Sequence, residues 1–194
     1  MIVSDQDTER VVVKMEGEIK RLKRELQCEG AITKYYKDTV LLPNGNTAVW
    51  DFVGHNGAAA VVPVLEDGRI LMVTQYRNAL DRFTLEIPAG GLNPGEPTID
   101  AAARELKEET GYTCEKIEPL ITIRTTVAFC NEKIDIYLAR NLIKGEQHLD
   151  EDEFVNVEAY ELKELERMIY EGTIQDSKTI GAILAYKNKY VSGE

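Results

Sequence analysis

Apolar and polar residues follow two rhythms along this chain, and the switches between them predict most of its elements. Near the start, Val12, Met15, Ile19, Leu22 and Leu26 recur at alternating spacings of three and four, the a/d pattern of an amphipathic helix over residues 8–27. That stripe either packs on its own domain or meets a second copy, and Gly17 is a weak point inside it. The rhythm then changes to short β-rich runs. Residues 35–42 and 47–53 flank Pro43-Asn44-Gly45-Asn46, and Asn-Gly is the strongest short hairpin signal. Residues 58–64 and 70–76 predict a second strand pair, turned at Glu66-Asp67-Gly68, whose continuous apolar character marks central strands covered on both faces. A short strand at 84–87 leads into two turn signals, Pro88-Ala89-Gly90-Gly91 and Asn93-Pro94-Gly95.

A helix with clear start and stop marks follows. Pro97 suits its first position and Gly111 the residue just past its end. At 100° per residue, Ile99, Ala102, Leu106 and Thr110 share one face and are expected to pack inward. Glu105, Glu108 and Glu109 fall on a neighbouring face, with Arg104 at its border. Further strands are expected at 117–125, 133–139 and 155–159, then helices at 161–170 and 176–190, split by Gly172. Strands and helices interleave without a simple βαβ period, which predicts an α/β fold with a mixed sheet covered by helices. The expected organisation is an N-terminal helical extension (1–30), a hairpin subdomain (31–56) and a main domain (57–194).

Composition narrows the function. The chain of 194 residues carries a net charge of −11 with no basic stripe, which argues against nucleic-acid and membrane-surface partners. Its hydrophobic share of 43% is ample for a buried core. The three cysteines, Cys28, Cys114 and Cys130, show no CxxC spacing and are odd in number, as expected for a reducing, cytoplasmic setting. The N-terminus lacks the apolar segment of a signal peptide, and the longest apolar stretch, around 57–65, is too short to span a bilayer.

The acidic face of the central helix is locally unfavourable. Glu105 and Glu109 are like charges at i, i+4, which costs about 0.2–0.5 kcal/mol. Glu108 and Glu109 also occupy the last turn, where the helix dipole prefers cations. Two broken rules at one spot point to a charged ligand. Three carboxylates on one rigid turn make a hard-oxygen set suited to Mg²⁺ or a similar divalent ion. On spacing alone, a solvated acidic face is the alternative.

The full pattern resembles a complete Nudix box: Gly90, five residues, Glu96, seven residues, then Arg104-Glu105-Leu106-Lys107-Glu108-Glu109-Thr110-Gly111-Tyr112. Its one departure is Tyr112, where an aliphatic residue is usual. Thr74-Gln75-Tyr76-Arg77, Glu86-Ile87-Pro88-Ala89-Gly90, Asn131-Glu132-Lys133-Ile134 and Gly172…Asp176-Ser177-Lys178-Thr179 are similar to the ADP-ribose and nucleoside diphosphate sugar pyrophosphatase branch of the Nudix hydrolases. The resemblance implies an α/β/α sandwich, a homodimer built with the N-terminal strands, and hydrolysis of a nucleoside-linked pyrophosphate with Mg²⁺ or Mn²⁺.

Carried over residue by residue, it implies that Glu105 and Glu109 are the principal metal ligands, Glu108 an accessory ligand, and the Ala89 carbonyl a further donor. Arg104 orients Glu105, and Glu96 pairs with Arg104. In the acidic run Asp150-Glu151-Asp152-Glu153, Glu151 is the implied general base, though any acid of the run could serve, and Glu153 a further metal ligand; a solvated charge run is the alternative. Arg77 is implied to meet a substrate phosphate, with a surface cation at a strand end as the alternative. Glu86 either touches the substrate or braces the loop, and Trp50 either stacks on the base or packs. Gly90, Glu96 and Gly111 have structural roles in the motif. His55 and His148 show no ligand spacing. In this branch the substrate loop past the box usually carries a proline within a Ser-Pro-Gly-like turn. Here residues 125–131 (TTVAFCN) hold neither proline nor glycine, which weakens the step from family to ADP-ribose. A non-catalytic sensor of such nucleotides is the alternative function.

Overall fold

The computed structural model describes residues 17–149 and 154–191, together with the backbone of two short strands nearer the N-terminus. The chain divides into two units, Met1–Gly54 and His55–Glu194.

In the first unit, β1 (Ile2–Val3) pairs antiparallel with β2 (Val12–Val13). β3 (Lys20–Glu29), β4 (Thr33–Leu41) and β5 (Thr47–His55) form a three-stranded sheet in that order. The hairpin signalled by Asn44-Gly45 joins β4 to β5; Gly45 takes a φ of 83°, and the Leu42 N–H donates to the Asn46 carbonyl at 2.8 Å. The expected helix over 8–27 is corrected: within its described residues, Val12–Val13 form β2 and Lys20 onward forms β3, while Met15 lies outside the described residues. A four-residue spacing returns to the same face in a strand as well as in a helix, so Leu22 and Leu26 did not distinguish the two. Cross-strand pairing then decides. Arg24 stands opposite Asp38, donates to both its carboxylate oxygens at 2.7 and 2.6 Å, and lies 3.6 Å from the Phe52 ring centre.

The second unit opens with β6 (Ala58–Pro63), buried along its whole length, and β7 (Ile70–Arg77), buried over its first half. β8 (Arg82–Glu86) and the three-residue β9 (Ala89–Gly91) precede α1 (Thr98–Thr110). Then come β10 (Tyr112–Arg124), β11 (Lys133–Lys144), β12 (Asn156–Tyr160), α2 (Leu162–Tyr170) and α3 (Ser177–Tyr186), the last running into a π-helical turn, Lys187–Val191. Pro119 sits at a register shift in β10, an edge strand, where a missing N–H is tolerated.

Two sheets result, ordered β10-β11-β6-β9 and β12-β7-β8. The first is mixed, because β6 runs parallel to β11 and antiparallel to β9. The expected pairing of 58–64 with 70–76 is therefore corrected. Each strand has its own ladder partners, and an isolated Val64–Ile70 bridge is the strand pairing between them among the described residues. Alternation along β6 serves two cores. Ala58, Ala60 and Val62 join Met72, Ile87, Ile136, Leu138, Leu165 and Ile183 in the larger one, which α2 and α3 cover. Ala59 and Val61 meet Ala101, Ala102 and Leu106 of α1 in the smaller. Ile99, expected to face inward, is 37% exposed; Ala101 begins the buried stripe instead.

Candidate active site

Residues 86–91 and helix α1 build the site, and the register of β9 on β6 sets their spacing. Ala89, Gly90 and Gly91 pair with Ala60, Ala59 and Ala58, so the expected loop is a short strand laid along a buried one. Since α1 packs on the other residues of β6, the glycines and the helix share one support.

Glu105 and Glu109 are 7% and 3% exposed, not on an open acidic face. A buried carboxylate is costly unless hydrogen-bonded, and each has partners. Glu109 Oε2 accepts from the Ala89 N–H at 2.9 Å. Glu105 Oε1 accepts from Arg104 Nη1 at 2.7 Å. Gly90 makes the fit possible, since a Cβ there would lie 2.0 Å from Glu105 Oε1 and 2.2 Å from its Cδ.

Arg104 is the hub. Its guanidinium reaches Glu96 through Nε and Nη2, Glu105 and Glu108 through Nη1, and the Gly91 carbonyl through Nη2, at 2.7–3.0 Å. The fixed fork of donors suits Arg and not Lys. The Glu96 hydrogen bond, with Glu108 and Glu105 adding to it, raises the Arg104 pKa despite partial burial. Glu96 drops to about 2, chiefly through Arg104 and next through the Asn93 N–H.

The C-terminus of α1 is tied down by a later segment. Gly145 N–H donates to Gly111 O, His148 N–H to Glu108 O, and the Gln147 amide to Glu109 O and Val155 O. Gln147 carried no expectation, because nothing local marks it. Tyr112 is part-buried against the smaller core, and its N–H donates to Thr110 Oγ1 at 3.1 Å.

A second charged cluster lies at the end of β8. Glu86 is 2% exposed; Arg77 Nε and Nη2 reach its two oxygens at 2.8 and 2.6 Å, and Thr84 Oγ1 donates at 2.6 Å. Lys178 Nζ also donates to Glu86 Oε2. Burial alone would raise the Glu86 pKa, but Arg77, Lys178 and Thr84 outweigh it and hold the carboxyl at about 2. Arg77 keeps a 39% exposed side chain and feels the negative charge of Glu109.

Trp50 lies on β5 of the first unit and is 46% exposed. Glu151 and Glu153 fall outside the described residues. His55 has a structural setting: its ring Nδ1 accepts from the Gly57 N–H, and its own N–H donates to the Asn131 side chain.

A hard divalent cation fits the donors present. They are carboxylate oxygens held on a rigid turn, in a cradle that a Cβ at residue 90 would fill. Among the described residues no three acidic, histidine or cysteine side chains form an ion-holding group, so a full shell needs further oxygens. Among the same residues no helix is long and apolar enough to cross a membrane.

A profile of the NUDIX domain matches residues 54–180. The chain is 44% identical to the methanol dehydrogenase activator of Bacillus methanolicus and 38% identical to the ADP-ribose pyrophosphatase of Bacillus subtilis; each match covers 86% of this chain and 91% of the relative. It is 36% identical to the ADP-ribose pyrophosphatase of Mycobacterium tuberculosis, over 80% of this chain and 77% of that one. The crystal structure of an ADP compounds hydrolase shares its fold at a TM-score of 0.81 and 20% identity, covering 91% of this chain and 96% of the other.

Proposed function

The chain belongs to the Nudix family, and we propose that it hydrolyses the pyrophosphate bond of ADP-ribose or a related nucleoside diphosphate sugar, releasing a nucleoside monophosphate and a sugar phosphate. The observation that carries this reading is the burial of Glu105 and Glu109 against the 89–91 strand, inside the full box. The names of two relatives supply the substrate class.

In this reading Glu105 and Glu109, with Glu108, Glu153 and the Ala89 carbonyl, hold Mg²⁺ or Mn²⁺. Such an ion, when bound, neutralises diphosphate charge and makes water more acidic. Arg104 keeps the Glu105 carboxylate aimed, and Glu96 keeps Arg104 aimed. Glu151 takes a proton from the attacking water, and Arg77 offers its guanidinium to a phosphate oxygen. Trp50 offers its ring to the base of a nucleotide bound by a second copy. The working form is a cytoplasmic homodimer. Three free cysteines support the location. Ile19, Leu22, Leu26, Ile32, Val49 and Trp50, all at least 46% exposed, supply apolar surface for a second copy.

The test is a panel of nucleotide sugars with Mg²⁺ or Mn²⁺, run on the wild type and on Glu109→Gln. ADP-ribose turnover is expected in the wild type, with a fall of at least about a hundredfold in the variant and an unchanged circular dichroism spectrum. Near-normal hydrolysis by Glu109→Gln rejects the metal assignment. A second reading, a regulator of another enzyme, is favoured by the relative named as a dehydrogenase activator. Binding without turnover across the panel, or stimulation of a methanol dehydrogenase that survives Glu109→Gln, would support it.

A further inference from the structure

Helix α3 begins far from the box in sequence, yet two of its first residues grip consecutive residues beside the site. Lys178 Nζ donates to Glu86 Oε2, and Thr179 Oγ1 accepts from the Ile87 N–H at 3.0 Å. Both are held from the other side by Asp176, whose Oδ2 takes Lys178 Nζ at 3.0 Å, Thr179 N–H at 2.9 Å and Thr179 Oγ1 at 2.6 Å. That carboxylate is also the N-cap of α3. Lys178 is 7% exposed and Thr179 fully buried.

Glu86 lies between two cations, with side chains 9%, 3% and 39% exposed for Lys178, Glu86 and Arg77. Lys178 is thus enclosed, and of the three only Arg77 meets solvent appreciably. Beside Arg77, Glu86 is held through one oxygen by Thr84 Oγ1 at 2.6 Å and through the other by Lys178, its one buried cationic partner among the described residues. Without that ammonium, Glu86 keeps Thr84 on one oxygen and Arg77 as its counter-charge, and loses its tie to α3 on the other.

We propose that Lys178 is a positioning residue, acting through Glu86 to aim the Arg77 guanidinium at a substrate phosphate. The proposal rests on the pyrophosphatase reading for its substrate, but not for the geometry it claims. Lys178→Met is expected to raise KM for ADP-ribose about tenfold and leave kcat within about threefold, because a phosphate contact made throughout the reaction appears in KM. On an Arg77→Met background the same change is expected to add nothing, since residues acting as one unit are not additive. If Lys178→Met does not fold, Lys178→Gln, which retains a donor but no charge, is expected to raise KM about threefold.

A spectroscopic arm is independent of turnover. The Arg77 Nε–H resonance, identified by its loss in Arg77→Lys, is expected to shift and broaden in the Lys178 variant. Additive KM effects, or an Arg77 resonance unchanged from the wild type, overturn the proposal. An inactive wild type would retire the hydrolase reading, while the Arg77 resonance would still decide the claim for Lys178.

Discussion

Gly90 and Arg104 show how single residues set the chemistry of this site. A Cβ at 90 would stand where the Glu105 carboxylate now lies, so any side chain there must displace it. The obstructing atoms are the end of a flexible side chain, so an alanine there displaces the carboxylate more readily than the backbone. Gly90→Ala is therefore expected to lower kcat about a hundredfold, the scale of a misplacement near 1 Å. It should cost about 1 kcal/mol of stability, near the centre of the range for single substitutions. Steady-state kinetics and thermal unfolding separate the two effects, and a stable variant with full activity contradicts the cradle. Arg104 was expected to serve Glu105 and Glu96; it also binds Glu108 and the Gly91 carbonyl, so one guanidinium fixes helix and strand together.

Among the elements, α1 carries the strain of its own composition. Acids in its last turn oppose the helix dipole, and the segment 145–148 compensates by donating to its terminal carbonyls. Gly111 is the pivot of that junction. Its φ is 75°, and a Cβ would lie 2.8 Å from Gln147 N and 2.9 Å from Glu146 C. Here the obstruction is backbone, in contrast to Gly90. Gly111→Ala is expected to destabilise the protein by about 1–3 kcal/mol, as a left-handed position forced on a Cβ against fixed neighbours. Urea denaturation measures this, and a loss below half a kcal/mol would show that the segment yields.

For the whole molecule, acid stability depends on the buried carboxylates. The Glu86 pKa lies below its ordinary value, so its contribution is complete above the unfolded value of 4.5 and is lost as pH falls towards about 2. A displacement from 4.5 to about 2 corresponds to about 3 kcal/mol. Glu96 titrates in the same window and in the same direction. Stability in urea is thus expected to fall between pH 5 and pH 2, and more shallowly in a Glu86→Gln/Lys178→Met variant, where both charges are gone. Equal slopes would remove Glu86 from the account. At the level of assembly, sedimentation is expected to find a dimer at micromolar concentration, and a monomer would refute the homodimer.

How much of this was legible depends on the range of the interactions involved. Helix α1, its Gly111 stop, the 43–46 turn and the spacing from Gly90 to Glu109 were readable, because each depends on residues within a few turns of one another. The strand β3 was misread as a helix, since the leucine spacing suits both and its partner β4 supplied the missing hydrogen bonds. The separate sheets of β6 and β7 were hidden in the same way, because β11 and β12 lie much further along the chain. Lys178 and Glu86, 92 positions apart, had no local signature of their meeting. Periodicity and motif spacing are properties of neighbouring residues, so the chain displays them before it folds. Which strands pair, and which buried charges find one another, follows from the free energy of bringing distant segments together. That energy exists only in the folded molecule.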